Sequence, residues 1–256
     1  MSESELLGKK IFFLYPSPVV QNQISAELIQ QEFEVYTVKN YGSMRKILKK
    51  YPKSIVFIDI AEGMSEREWE AWIKGLMADR EINLEGIGIL TGNDDENLVR
   101  KYVNIIRVKC GYTIIKSDLN ATIGKVLEVL KAVDARGRRK YIRVTTEQDT
   151  SATVNLPMHG LFVNGVIKDI SVVGFSCAFT SDPGLVKNAL IKDIQVKLQT
   201  SILKVEGIIF GSRMDGAAKV YVILFTQRID PAVRVKIRKY IQSNLQAKMD
   251  AELEAM

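Results

Sequence analysis

One histidine, two cysteines and two tryptophans are all that this chain of 256 residues contains of those types. Cys110, Cys177 and His159 are too few and too far apart in sequence to give the ligand spacing of a zinc site. So few cysteines fit buried thiols in a reducing compartment better than a disulfide framework. A GxxxxGK[ST] loop and a GxSxG elbow are both missing, which removes the commonest phosphate-loop and hydrolase readings. His159 lies in the turn Pro157-Met158-His159-Gly160 and reads as an exposed loop residue, not a catalytic base. No apolar run approaches the roughly 18 residues of a membrane span. The start, Met1-Ser2-Glu3-Ser4-Glu5, is acidic and polar, unlike a signal peptide. The expectation is a cytoplasmic protein that is not an enzyme and carries no cofactor.

What is abundant is positive charge, and it is local. The formal net charge is +6, yet residues 1–130 hold 17 Lys and Arg against 18 Asp and Glu. Residues 131–143 alone carry six basic residues and one acidic one. A compact anionic ligand suits so short a cluster better than an extended nucleic-acid face does.

The hydrophobic period changes at that cluster. Before it, apolar strand-like runs at Lys10–Tyr15, Phe33–Val38, Ser54–Ile60, Gly86–Thr91 and Tyr112–Ile115 alternate with helical spacing. Such alternation predicts an α/β half, a doubly wound parallel five-stranded sheet covered on both faces. Trp69, Trp72, Ile73 and Leu76 share a helical face that reads as core, and Asp94-Asp95-Glu96 reads as a helix cap. After the cluster the period is two. Ala152–Leu156, Leu161–Asp169, Gly174–Thr180, Ile194–Thr200, Leu203–Ser212 and Val220–Gln227 predict a six-stranded antiparallel β-barrel. Asp230 and Pro231 then suit the start of a C-terminal helix. Its Ile237, Ile241, Leu245, Met249 and Leu253 recur every four residues. That stripe either closes the barrel or carries a homo-oligomer contact beyond Leu245. The expected division is 1–132, a basic linker at 133–145, and 146–256.

Two motifs flank the change of period. Arg138-Arg139-Lys140-Tyr141-Ile142-Arg143 reads RRxxxR, and Asp169-Ile170-Ser171-Val172-Val173-Gly174 reads DxSxxG. Arginines four apart supply two planar cations for phosphates and guanine edges. An Asp and a Ser two apart share one face of a strand and offer an acceptor and a hydroxyl. The glycine allows a turn or a close approach after that strand. In this order and spacing the pair resembles the signature of the PilZ domain, a receptor module for cyclic di-GMP.

The resemblance implies a PilZ-type barrel whose ligand is cyclic di-GMP, bound at the junction of the halves so that domain arrangement or partner binding changes. Arg139 and Arg143 would clasp phosphates and guanines, and Asp169 would accept from guanine N–H groups. Ser171 would bond a phosphate or base edge, and Gly174 would admit the following strand. Arg138 matches the position that decides between one ligand and a stacked pair. The implied partner is a downstream protein still to be identified, with motility or envelope machinery as the class to search.

The first half resembles a response-regulator receiver. Asp59, Thr91 and Lys116 match that family's phospho-accepting Asp, its Thr or Ser, and its Lys. The acidic pair that holds Mg²⁺ in receivers is replaced by Leu14-Tyr15-Pro16-Ser17, and Ser117 stands where proline is usual. A hard octahedral cation then lacks its carboxylates. The expectation is a pseudo-receiver used for contacts, not phosphorylation. Two rivals to the receptor reading remain, a single-stranded nucleic-acid binder and a scaffold that binds no ligand. For the first, only Tyr141 is interleaved with the arginines, where stacking platforms need several aromatics.

Overall fold

The computed structural model describes residues 8–147, 149–158 and 160–255. The readings of His159 and of the acidic start fall outside them. The chain divides into two units, residues 1–140 with 246–256, and residues 141–245.

In the first unit, β1 (Ile11–Leu14), β2 (Val35–Val38), β3 (Ser54–Ile58), β4 (Leu84–Thr91) and β5 (Tyr112–Ile114) form one sheet. Its order is β2-β1-β3-β4-β5, and all its pairings are parallel. This is the doubly wound arrangement that the alternation predicts. The helices are α1 (Ser25–Gln30), α2 (Tyr41–Lys50), α3 (Glu66–Ala78), α4 (Glu96–Arg100) and α5 (Leu119–Ala132). Two differ from the single helices expected. A π-helical turn, Val20–Ile24, precedes α1, and another, Lys101–Ile106, continues α4. At the first, the Ser25 hydroxyl donates to Val20 O five residues back, which favours the widened turn. Asp95 caps α4 by accepting from Asn97 N at 2.8 Å, as its acidic cluster implies. Trp69, Ile73 and Leu76 are buried in the core, as read from their helical face.

In the second unit, β7 (Thr153–Met158), β8 (Leu161–Ser171), β9 (Gly174–Phe179), β10 (Leu190–Leu198), β11 (Ser201–Asp215) and β12 (Ala218–Phe225) form the expected barrel. The order β8-β7-β10-β11-β12-β9 closes through an antiparallel β8–β9 pairing. Strand β10 starts four residues earlier than its apolar pattern suggests, because a bulge between Ile191 and Ile194 breaks the alternation. An additional strand, β6 (Arg143–Thr145), lies outside the closed ring and pairs with the end of β8. Sequence reading assigned those residues to a linker, since three residues inside a basic run carry no period.

The last helix, α6 (Pro231–Glu254), is capped by Asp230, whose carboxylate accepts from Ala232 N at 2.8 Å. Within the second unit its Tyr240 hydroxyl donates to Asp149, in the turn between β6 and β7, at 2.8 Å. From Gln246 on, its residues belong with the first unit. There the Gln246 amide bonds Thr37 of β2 twice, accepting from its N–H and donating to its carbonyl, each at 2.9 Å. Glu252 binds Lys50 at 2.8 Å and accepts from the Tyr51 hydroxyl at 2.7 Å. Ile237, Ile241, Leu245 and Met249 are all buried within the single chain, and Leu253 is half-buried. Both cysteines are buried free thiols.

Candidate functional site

The DxSxxG motif forms the β8–β9 hairpin, a two-residue connection between the paired Ser171 and Gly174. Ser171 builds that turn with its side chain. Its hydroxyl donates to Gly174 O at 3.1 Å and accepts from Val173 N at 3.4 Å. The residue is only 2% exposed. Gly174 is required by a neighbour's backbone. A Cβ there would lie 2.3 Å from Ile223 O and 3.0 Å from the Leu224 Cα, both on β12. Close approach, not a turn conformation, is the reason for this glycine.

Asp169 owes its direction to a bulge. Along β8, Ile167 and Ile170 are both buried although three residues apart, so strict alternation fails between them. The pairing with β9 shifts register there, passing from Ile167↔Cys177 to Asp169↔Ser176 and leaving Lys168 as the extra residue. Without the shift, Asp169 would share the inward face of Ile167, since side chains two apart point the same way. With it, Asp169 and Ser171 turn to the face opposite Ile170.

Strand β6 brings the last arginine of RRxxxR to that face. Arg143 pairs with Ser171 and Thr145 with Asp169 in the antiparallel register. The Arg143 Nε lies 3.3 Å from Asp169 Oδ1, and about half of the arginine side chain remains exposed. The other Asp169 oxygen accepts a hydrogen bond from the Ser176 hydroxyl. Among the described residues, the Arg143 guanidinium faces solvent and has its one short ion pair with a carboxylate that a second residue also holds. Beneath it, Cys177 has its thiol pushed well up by burial, and the Asp169 charge adds to this, so the thiol stays neutral.

The other two arginines belong to the first unit. Arg138 and Arg139 are exposed on the segment after α5. Arg138 lines a cleft with Lys9, Lys53, Glu85, Asp134, Arg136 and Gly137. Arg143, Asp169, Ser171 and Gly174 are brought together in the barrel unit, whereas Arg138 and Arg139 are assigned to the first unit. Sequence reading missed Ser176, which fixes the carboxylate. The available signal was a hydroxyl within the otherwise apolar run Gly174–Phe179.

The receiver-like positions present a different picture. Asp59 follows β3, is 5% exposed, and accepts from the backbone of Ala61 at 3.1 Å. Thr91 is fully buried at the end of β4 and receives Asn93 N at 3.4 Å, while Lys116 is exposed. Where receivers carry acids after β1, Tyr15 adopts a left-handed φ of 52°. Its ring packs edge-on against Trp69 at 5.9 Å, and a Cβ on Gly63 would strike it at 2.9 Å. These residues do not fit a hard divalent cation, which needs clustered oxygen donors. Nearby, Tyr112 is pushed up to about 12, by burial first and then by the charges of Asp59, Asp95 and Asp94.

No family model and no curated protein matches the chain. Solved structures match part of it. The PilZ domain of YcgR from Escherichia coli with c-di-GMP is 15% identical, over 46% of this chain and 97% of that one, at a TM-score of 0.38. The K. pneumonia MrkH–c-di-GMP complex is 19% identical over 47% and 55%, at 0.36. Borreliella burgdorferi PlzA in complex with c-di-GMP is 18% identical over 48% of each chain, at 0.29. The match spans about half the length of the last two proteins. Similarity this remote assigns neither a family nor a ligand to this chain.

Proposed function

We propose that the protein is a receptor for cyclic di-GMP, binding it through Arg139, Arg143 and the β8–β9 hairpin, with Arg138 setting the number of ligand molecules. The observation that carries the reading is the Arg143–Asp169 pair. Two motifs 26 residues apart meet on one outward face, with the cation still half open to solvent. In that arrangement Arg143 can exchange one carboxylate oxygen for a ligand phosphate, a charge-assisted contact of the same kind. The released Asp169 oxygen can then accept from a guanine N–H while Ser176 keeps the other oxygen in place. Ser171 and Gly174 contribute by shaping the turn, with backbone groups held close to the surface.

The segment Arg138–Arg143 is also the stretch where the chain passes from one unit to the other. Ligand binding that orders it would restrict the two units, a recognised switching device. The output would pass to a protein partner, and the role is that of a receptor, not an enzyme. The exposed cationic segment with a single aromatic, Tyr141, favours a compact ligand over a nucleic-acid strand.

Isothermal calorimetry separates the alternatives. Cyclic di-GMP should bind, while GMP and a short single-stranded RNA should not. Arg143→Ala should weaken binding by about 2–4 kcal/mol, some 30- to 1,000-fold. Undiminished affinity in that variant removes the site, and binding of the RNA alone favours the strand-binding reading.

A further inference from the structure

The segment running into the first arginine of RRxxxR builds a second cationic site, on the first unit alone. It lies at the amino ends of the strands, the opposite edge of the sheet from Asp59. Lys9 precedes β1, Lys53 precedes β3, and Glu85 lies near the start of β4. Asp134, Arg136, Gly137 and Arg138 follow α5, and together these residues line a cleft of about 450 Å³.

Its geometry is built, not accidental. Gly8 has a φ of +95°, and a Cβ there would lie 2.8 Å from Gly137 N and 3.0 Å from Ala135 O. Only glycine lets residues 135–137 pass so close to the chain entering β1, where Lys9 N donates to Ala135 O at 2.9 Å. That closeness brings two arginines beside the sheet edge. Arg136 is held in place on both sides. Its guanidinium stacks over the Phe33 ring at 5.1 Å, and one of its nitrogens donates to Gln31 O at 3.2 Å. Lys53 has a φ of 60° and is anchored by its N–H on Asn83 O.

The charge is unbalanced. Glu85 is held ionised, below the usual carboxylate range, by hydrogen bonds from Lys109 and then Lys9. Its charge is spent on those two lysines. Asp134 is left as the cleft's remaining acid against Lys53, Arg136 and Arg138. Among the described residues, neither Lys53 nor Arg136 has a carboxylate within ion-pair distance.

We infer that this cleft of the first unit binds a phosphate-bearing small anion. One held guanidinium, Arg136, with Lys53 and Arg138 lining the same cleft, matches the several oxygens of a phosphate better than a single carboxylate does. The source is either a free polyphosphate or a phosphate of the nucleotide ligand itself.

Inorganic pyrophosphate titrated into the isotopically labelled full chain tests this by nuclear magnetic resonance. Saturable shifts are expected at Lys53, Arg136 and Gly137, weakened at least tenfold by Lys53→Gln and by Arg136→Gln. Both side chains are exposed, so folding should survive, which circular dichroism can check. Arg143→Ala, which disables the hairpin site, should leave pyrophosphate binding intact. Presaturation with cyclic di-GMP identifies the source: retained binding marks a site for the free anion, and competition marks a site for the nucleotide's phosphate. Shifts that never saturate, or that persist in both glutamine variants, overturn the proposal.

Discussion

Two aspartates that each match a family motif, Asp59 and Asp169, occupy strand ends in the two units and have opposite surroundings. Asp59 is buried and bonded to backbone two residues ahead, and where acids would be needed after β1 stands Tyr15, whose ring packs on Trp69. Asp169 is held by a neighbouring hydroxyl and by an arginine that still faces water. The first has residue identity without the chemical company that chemistry requires. The second has both. A matched residue is the better candidate for ligand exchange when its partners are placed to exchange with a ligand, and the weaker one when they are not.

The sharpest test of this contrast is all-or-none. The full chain should take up no phosphate from acetyl phosphate in the presence of Mg²⁺, because phosphoryl transfer to Asp59 lacks charge neutralisation. Stoichiometric labelling that disappears in Asp59→Asn would put the two aspartates on an equal footing. Next in size is Gly174→Ala, whose Cβ would meet the backbone of Ile223 at 2.3 Å. A loss of about 3 kcal/mol or more in urea unfolding is expected, together with the ligand site. A fully stable variant would show that the hairpin adapts more readily than its close packing implies.

Smaller effects separate turn-building from ligand contact. Ser171→Ala should cost about 1 kcal/mol of stability, because it removes the bond to Gly174 O. Ser176→Ala should cost about 1–2 kcal/mol of stability, because its buried hydroxyl bonds a carboxylate, and should also weaken cyclic di-GMP several-fold, since Asp169 then loses one of its two holders. If Ser176→Ala binds as well as the parent, the carboxylate is positioned by Arg143 alone.

The smallest effect is a pH dependence. Burial opposes ionisation of Asp149, but hydrogen bonds from Ser151, Tyr240 and nearby backbone outweigh it and hold the carboxyl below its ordinary value. A depressed carboxylate stabilises above its unfolded pKa, near 3.9. That contribution is lost as pH falls through the lower folded value. Tyr240→Phe should therefore cost about 1 kcal/mol at pH 7, with the difference from the parent shrinking below about pH 4. A difference that stays constant across that range would mean that Tyr240 acts by packing alone.

Both halves of the fold were legible because their periods differ and are long. The alternation from Lys10 to Ile115 marks a parallel sheet, and the period of two after Ala152 marks a barrel. The site was legible by residue type but not by mechanism. Strand β6 is too short to show a period, and it is what sets Arg143 opposite Ser171. The bulge at Lys168 left a trace, since Ile167 and Ile170 cannot both face inward on an unbroken strand. Ser176 gave almost none, because a buried serine in a sheet is usually satisfied by backbone. The tyrosine at position 15 showed that no acid stands there, but its packing against Gly63 and Trp69 depends on loops that no local pattern fixes.

Gln246 gives one side chain the work of a missing strand. The N–H and carbonyl of Thr37 both point away from β1, on the open side of an edge strand, and a single amide answers the two together. An open edge is adhesive and invites a foreign strand to add to the sheet. The carboxyl-terminal turns of this chain therefore act as a stopper, with Glu252 clamped to Lys50 and Tyr51 to keep it seated. A protease that trimmed a dozen residues from this end would remove both Gln246 and Glu252. It would leave a rung of backbone open to self-recruitment, so a clipped preparation should be recognised first by its tendency to assemble.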